Sequence, residues 1–82
     1  MTQTIRNSEK AVIAAADQPA TMDRLRQSGN PATRRAAGFM NEITAMHSRN
    51  DYDAKQNQCA QNALYYMPMA EIERLCAAYD AA

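Results

Sequence analysis

His47 and Cys59 are the residues whose side chains could act together as a nucleophile and its base. Helical spacing places both near the inner faces of two neighbouring predicted helices, so a Cys–His pair is one hypothesis. No glycine-rich turn and no evident oxyanion-stabilising group accompanies the pair in the sequence. We therefore predict no catalytic residue and no enzymatic activity, and we interpret His47 as a hydrogen-bonded histidine in or beside the core.

Motifs that bind metals or cofactors are missing from the sequence. Cys59, Cys76 and His47 are not at the spacing of zinc ligands. Asp51 and Asp53 are two positions apart, as in a calcium loop, but the glycine and the remaining ligands of that loop are missing. Asp51 fits better as a helix cap. We predict no metal site and no cofactor, because phosphate-binding and dinucleotide-binding fingerprints are missing as well.

Four arginines lie within twelve residues and flank a glycine turn. They are Arg24, Arg26, Arg34 and Arg35, here called the arginine edge. Arg34 and Arg35 fall in the first turn of a predicted helix, where the helix dipole opposes positive charge. Three interpretations follow: a solvated edge that pairs with acidic residues of the same chain, contact with an acidic protein surface, or contact with nucleic acid. A net charge of zero and a pI of about 6.5 weigh against nucleic acid.

Aromatic and methionine side chains are concentrated where the last two predicted helices meet. By helical spacing, Tyr66 and Met67 fit the core at this corner. Leu64, Tyr65 and Met69 are here called the joint patch, a candidate partner-binding surface, since Tyr and Met suit protein interfaces. The alternative for Tyr65 is that it covers a neighbouring element such as the first helix, or is simply exposed.

The sequence favours an all-α fold, a small compact bundle of four to five short helices. Strand-like alternation is missing, and the dominant residues Ala, Arg, Gln, Glu and Met favour helix. Helices are predicted at about 4–16, from Thr21 to the turn at 28–29, and at about 31–48, 52–66 and 68–79. Thr21 and Asn30 are good N-caps, and Pro31 and Pro68 suit a first helical position.

Apolar residues at helical spacing predict which faces are buried. The short second helix turns Met22 and Leu25 inward. The inner face of the third helix comprises Ala36, Phe39, Met40, Ile43, Met46 and His47. That of the fourth comprises Tyr52, Gln56, Cys59, Ala60, Ala63 and Tyr66, and that of the fifth Met69, Ile72, Leu75, Cys76 and Tyr79. The third and fourth helices should form a central antiparallel hairpin. We expect the fifth to pack across it and Gly38 to mark a close approach of another helix.

Bulky apolar residues are few, which predicts a thin core. Leu, Ile, Val and Phe supply nine of 82 residues, and five internal methionines and four tyrosines make up part of the deficit. A chain of residues 1–82 suits a single all-helical domain. Its start lacks the apolar core of a signal peptide, and no apolar run is long enough to span a membrane. We therefore expect a cytoplasmic protein, with Cys59 and Cys76 as reduced thiols; a disulfide between them is the alternative.

Charge is divided unevenly along the chain. Residues 1–50 carry seven basic and four acidic residues, a net charge of +3, and residues 51–82 carry two basic and five acidic residues, a net charge of −3. Such a chain could pair head-to-tail with a second copy, or present a basic face to an anionic partner.

These features indicate a non-enzymatic protein-binding module, of the kind found among small bacterial or phage inhibitors and adaptors. The predicted partner is another protein, and the predicted partner-binding residues are those of the arginine edge and the joint patch. The alternative is a small nucleic-acid-binding transcriptional regulator that works through the arginine edge. A homodimer is a further option, and no membrane partner is expected.

Overall fold

The computed structural model of the chain describes the backbone of residues 2–49 and 54–81 and the side chains of residues 8–46 and 55–81. These parts contain five helices and no strand: α1 (Thr2–Ala16), α2 (Pro19–Arg26), α3 (Pro31–Arg49), α4 (Ala54–Tyr66) and α5 (Met69–Ala81). The prediction of a small all-α bundle is confirmed. The Cα radius of gyration is 11.6 Å, close to the ~12 Å expected for a compact chain of this length. Over these residues, no helix combines the length and the apolar character needed to cross a membrane.

The turn between α1 and α2 is tighter than predicted. α2 begins at Pro19, with Gln18 as its N-cap residue, so the prediction that Thr21 caps this helix is wrong. The amide of Gln18 donates to the carbonyl of Ala15 at 2.9 Å, and the carbonyl of Gln18 accepts from Met22 at 3.0 Å. Because proline has no N–H and a fixed φ, it ends α1 and suits the first position of α2 at once.

The start of α3 agrees with the prediction. Asn30 Oδ1 accepts a hydrogen bond from the amide of Ala32 at 2.9 Å, with Pro31 as the first helical residue. Ser28 Oγ in turn accepts from the amide of Asn30 at 3.1 Å. The cap therefore satisfies one of the amides that the first helical turn leaves without a backbone partner.

Pro68 precedes α5 rather than being its first residue. Its carbonyl accepts hydrogen bonds from the amides of Glu71 and Ile72, at 3.0 and 3.1 Å, and the helix begins at Met69. The predicted boundary was thus one residue early. Proline still acts as expected, since it ends the run of α4 and initiates the next helix.

The predicted hairpin of α3 and α4 is confirmed. These two consecutive helices make the most extensive interhelical contact among the described residues, as a hairpin requires. Their fully buried core residues are Ala36, Met40 and Ile43 on α3 and Ala60 and Ala63 on α4. Helical periodicity was sufficient to predict this face, because both helices bury one continuous stripe.

The inner face of α3 is wider than predicted. Thr33 and Ala37 are buried as well, while Phe39, which was predicted to be on this face, is half-buried. Gly38 is exposed, and a Cβ built on it would meet no other atom within 4 Å. The expectation that Gly38 marks a close helix approach is therefore wrong.

α1 lies at the centre of the bundle because its inner face is small. It contacts each of the other four helices, most extensively α5. Among its described side chains, the buried ones are Ser8, Ala11, Val12, Ala15 and Ala16. Short side chains let helix axes approach closely, since interaxial distance depends on the side chains at the contact. Thr44 of α3 also donates a hydrogen bond through Oγ1 to the carbonyl of Ala16 at 3.0 Å, which fixes the end of α1 against α3.

The position of α5 corrects the prediction that it packs across the hairpin. Its principal contact is with α1. Leu75 and Cys76 are buried and Ile72 is half-buried, but Met69 and Tyr79, at the ends of the predicted inner face, are 60% and 38% exposed. A helix with one principal neighbour buries a narrow stripe, so both ends of the predicted face reach the surface.

The thin core leaves a cavity of about 260 Å³ between α1 and α5. Half of its eight lining residues are alanines, including Ala14 of α1 and Ala78 of α5, and Leu75 and Tyr79 of α5 also line it. Ala14 and Ala78 are both exposed to solvent. The gap is a direct result of short side chains on both facing helices.

We expect Asn30→Ala to lower the free energy of unfolding by about 1 kcal/mol, because the amide of Ala32 loses its side-chain acceptor. Urea unfolding followed by circular dichroism measures the change. Asn57→Ala is the matched control, since Asn57 is exposed within α4 and a change of less than about 0.5 kcal/mol is expected there. Equal effects at the two positions would rule out the cap as the cause.

We expect Ala14→Leu to raise the free energy of unfolding by roughly 0.5–1 kcal/mol, because the added carbons enter the cavity between α1 and α5. The comparison is Ala20→Leu, an exposed alanine on α2 outside the cavity lining, where we expect no stabilisation. Thermal unfolding of both variants measures the difference. Destabilisation by Ala14→Leu alone would mean that the cavity cannot accept a larger side chain.

Candidate functional site

An aromatic cluster joins the middle of α3 to the end of α4. The rings of Phe39 and Tyr66 stack with their centroids 5.8 Å apart and their planes at 9°. The ring of Tyr65 meets Tyr66 edge-on, at 5.1 Å and 88°. Both arrangements are favourable for aromatic pairs. Through Tyr66, the cluster connects the exposed Tyr65 to the half-buried Phe39.

Two residues of the arginine edge reach the junction of α4 and α5. The guanidinium carbon of Arg35 lies over the ring of Tyr66, 4.8 Å from its centroid, which is the geometry of a cation–π contact. Arg24 Nη1 donates to Glu71 Oε1 at 2.6 Å, which ties α2 to the first turn of α5. The structure therefore brings together two regions that the sequence analysis treated separately.

The other two arginines, Arg26 and Arg34, make their contacts within α2, α3 and the turn between them. Arg26 pairs with Asp23 at 3.3 Å and also donates to the side-chain oxygen of Asn41. Arg34 Nη1 donates to the carbonyl of Ser28 at 2.7 Å. The four arginines do not converge on one point, because Arg24 pairs with α5, Arg35 lies over a ring of α4, and Arg26 and Arg34 bond within the α2–α3 region.

The joint patch is exposed at two of its three residues. Tyr65 is 83% exposed and Met69 is 60% exposed, on either side of the junction between α4 and α5. Leu64 is half-buried and packs against the core. Tyr65 is therefore exposed and does not cover α1. Leu64 contacts the core and contributes little to the exposed area of the patch. Met67 is buried and Tyr66 is half-buried, as predicted for the corner.

Phe39, Tyr66 and Glu71 take part in these contacts but were not among the predicted partner-binding residues. Arg35 and Phe39 are four positions apart on α3 and so lie on one helix face. That spacing was a signal that the sequence analysis did not use. The contact between Arg24 and Glu71 joins residues 47 positions apart, and no local pattern could indicate it.

The cysteine environments do not resemble that of an activated nucleophile. Burial raises the pKa of the Cys59 thiol, and the negative charge of Glu42 raises it further. Burial likewise raises the pKa of Cys76, with Asp80 adding to the effect. Reactive cysteines have lowered pKa values, so both environments act in the opposite direction. The two residues are separate thiols and not a disulfide.

Of the sequence-predicted residues, the side chain of His47 and the residues Asp51, Tyr52 and Asp53 lie outside the described part of the chain. Within the described part of the chain, no group of three or more His, Cys, Asp or Glu residues is placed to hold a metal ion.

Both thiols should react with iodoacetamide more slowly in the folded protein than in urea at about pH 8, because a raised pKa lowers the thiolate fraction. Cys76, which is buried, should be the slower of the two. Peptide mass spectrometry over a pH series measures each rate, which should rise as the pH increases. A folded-state rate at Cys59 above the rate in urea would contradict the raised pKa and would support a nucleophilic role.

Comparison with known proteins gave no match: no protein-family model matches the chain, and neither a curated protein nor a solved structure does. The interpretation of this surface therefore depends on its geometry and chemistry.

Proposed function

We propose that the protein is a cytoplasmic, non-enzymatic protein-binding module and that its binding surface lies at the junction of α4 and α5. The observation that carries the proposal is the exposure of Tyr65 and Met69, at 83% and 60%, at the helix junction where Arg35 lies over the ring of Tyr66 and Arg24 pairs with Glu71. Here "the binding surface" means Tyr65, Met69, Arg24 and Arg35. An inhibitor or adaptor of a larger protein is the role that such a small module fits best.

The composition of the binding surface supports a protein partner. Tyr, Met and Arg are enriched in protein interfaces, and Tyr and Arg recur among the residues that contribute most to binding. Tyr65 offers a large area with few rotatable bonds, so little conformational entropy is lost when a partner covers it. Its edge-on contact with Tyr66 limits its freedom before binding.

The charge of the binding surface indicates what kind of partner fits. Arg35 contacts an aromatic ring, which does not neutralise the guanidinium, whereas Arg24 is paired with Glu71. The surface therefore combines exposed apolar area from Tyr65 and Met69 with the positive charge of Arg35. A partner with an apolar pocket bordered by carboxylates complements this arrangement, and such complementarity favours fast and specific association.

The arrangement of arginines weighs against the nucleic-acid alternative. Arg24 and Arg26 are paired with carboxylates, and Arg34 bonds to a backbone carbonyl. A phosphate-binding face needs several basic side chains directed to one strand or groove. The four arginines diverge, so no specific observation favours a transcriptional regulator over a protein-binding module.

Tyr65→Ala should weaken binding to the cellular partner by at least about 30-fold, the loss expected for an aromatic residue at the centre of an interface. The protein is used as bait, the partner retained by wild type is identified and purified, and isothermal titration calorimetry then compares the variants. Asn57→Ala is the matched control, because Asn57 is also exposed on α4 but lies more than two helical turns before Tyr65.

Three outcomes separate the hypotheses. Loss of affinity with Tyr65→Ala but not with Asn57→Ala supports the proposed surface. Equal affinities for all three proteins contradict it, provided that circular dichroism shows each to be folded. Retention of DNA or RNA that falls steeply between about 50 and 200 mM salt would favour the regulator instead.

A further inference from the structure

The methionines of the described chain fall into two classes by exposure. Met22, Met40, Met46 and Met67 are between 0% and 7% exposed, whereas Met69 is 60% exposed. Met67 and Met69 are only two positions apart, so they differ in burial and hardly at all in sequence context. An oxidant dissolved in the solvent can therefore reach the sulfur of Met69 more readily than those of the buried methionines.

The thioether of an exposed methionine reacts with a hydroperoxide in one step. A lone pair on Sδ attacks one peroxide oxygen, a sulfur–oxygen bond forms, and the oxygen–oxygen bond breaks. With hydrogen peroxide the second oxygen leaves as water, so that the sulfur loses two electrons and the peroxide gains them. The product, methionine sulfoxide, is polar, and methionine sulfoxide reductases return it to the thioether with electrons from thiols.

We propose that Met69 is a reversible oxidation site, and that its oxidation converts the binding surface from apolar to polar without unfolding the bundle. Met69 is the first residue of α5 and does not contribute to the buried core. An added oxygen at this position therefore meets solvent, whereas the same oxygen on Met40 or Met67 would be placed inside the core. The fold can tolerate the first change and not the second.

Cysteine does not compete strongly for the oxidant. The thiolate is the form of cysteine that peroxides attack. Burial shields Cys76 and half-shields Cys59, and the pKa of each thiol is raised above its ordinary value. The exposed sulfur of this surface is thus the more accessible target among the described residues.

The effect of oxidation on partner binding rests on the proposed function. Replacing a thioether by a sulfoxide adds a polar oxygen that an apolar pocket of the partner would have to desolvate. Oxidised protein should then bind more weakly, in the same direction as Tyr65→Ala. Oxidation of the single side chain of Met69 would thus make partner binding sensitive to peroxide.

The test uses the whole protein and hydrogen peroxide. Samples are quenched over time and digested with trypsin, and tandem mass spectrometry assigns sulfoxide to individual methionines. Met67 and Met69 share the tryptic peptide of residues 56–74, so fragment ions must separate them. Met69 should be oxidised at least about tenfold faster than Met22, Met40, Met46 or Met67, since exposure controls the rate. Circular dichroism at the point of full Met69 oxidation should match that of the untreated protein.

A second measurement detects the change of surface without any partner. Retention on a hydrophobic-interaction column should fall after oxidation of the wild type and recover after treatment with a sulfoxide reductase and a thiol. Met69→Leu keeps an apolar side chain that peroxide does not oxidise, so its retention should not change. An equal fall in Met69→Leu, similar rates at Met67 and Met69, or loss of helix on Met69 oxidation would each overturn the proposal.

A third experiment measures partner binding before and after oxidation. If a partner depends on Tyr65, oxidation should weaken its binding to the wild type and leave Met69→Leu unaffected; equal weakening of both would contradict regulation at this site. If no partner depends on Tyr65, the proposed function fails. Mass spectrometry and column retention still decide whether Met69 is the oxidation site.

Discussion

The small inner face of α1 is the constraint on which the arrangement of the bundle depends. Ala11, Ala15 and Ala16 allow α1 to contact all four other helices at once, since short side chains do not hold the axes apart. The same alanines provide little apolar area to bury, so the core stays thin and a cavity remains beside α5. Chains of this size gain only about 3–5 kcal/mol from one core. A bundle held this way has little stability to lose, and caps such as Asn30 become significant.

The placement of α5 follows from the small inner face of α1, and it determines which side chains are exposed where α4 meets α5. Because α5 rests mainly on α1, no helix of the described chain covers the outer side of the junction between α4 and α5, and Tyr65 and Met69 are exposed there while Met67 is buried. Arg24 and Arg35 border this junction through Glu71 and Tyr66. A partly exposed ion pair of this kind contributes about 0–1 kcal/mol to stability. Its main effect is to orient α2 and α5 and to position charge beside the apolar patch.

The chemistry of the described side chains accords with the proposal of a binding module. The thiols of Cys59 and Cys76 have raised pKa values, which is the reverse of what a cysteine nucleophile requires. The arginines are distributed over separate partners and do not form a phosphate cradle. The exposed aromatic and thioether groups have no structural role in the core, and a surface with such groups suits recognition of another protein.

Local pattern in the sequence determined the helices, the Asn30 cap, the inner stripe of α3 and α4 and their hairpin, because each depends on residues within a few turns of one another. Sequence spacing also placed Tyr65 off the inner face of α4, as observed. The neighbour of α5, the exposed position of Gly38 and the contacts of Arg24 with Glu71 and Arg35 with Tyr66 were decided by tertiary packing. Periodicity shows which face of a helix is apolar but not which helix covers it. That choice depends on side-chain sizes at contacts between residues far apart in the chain, and only the folded structure contains those contacts.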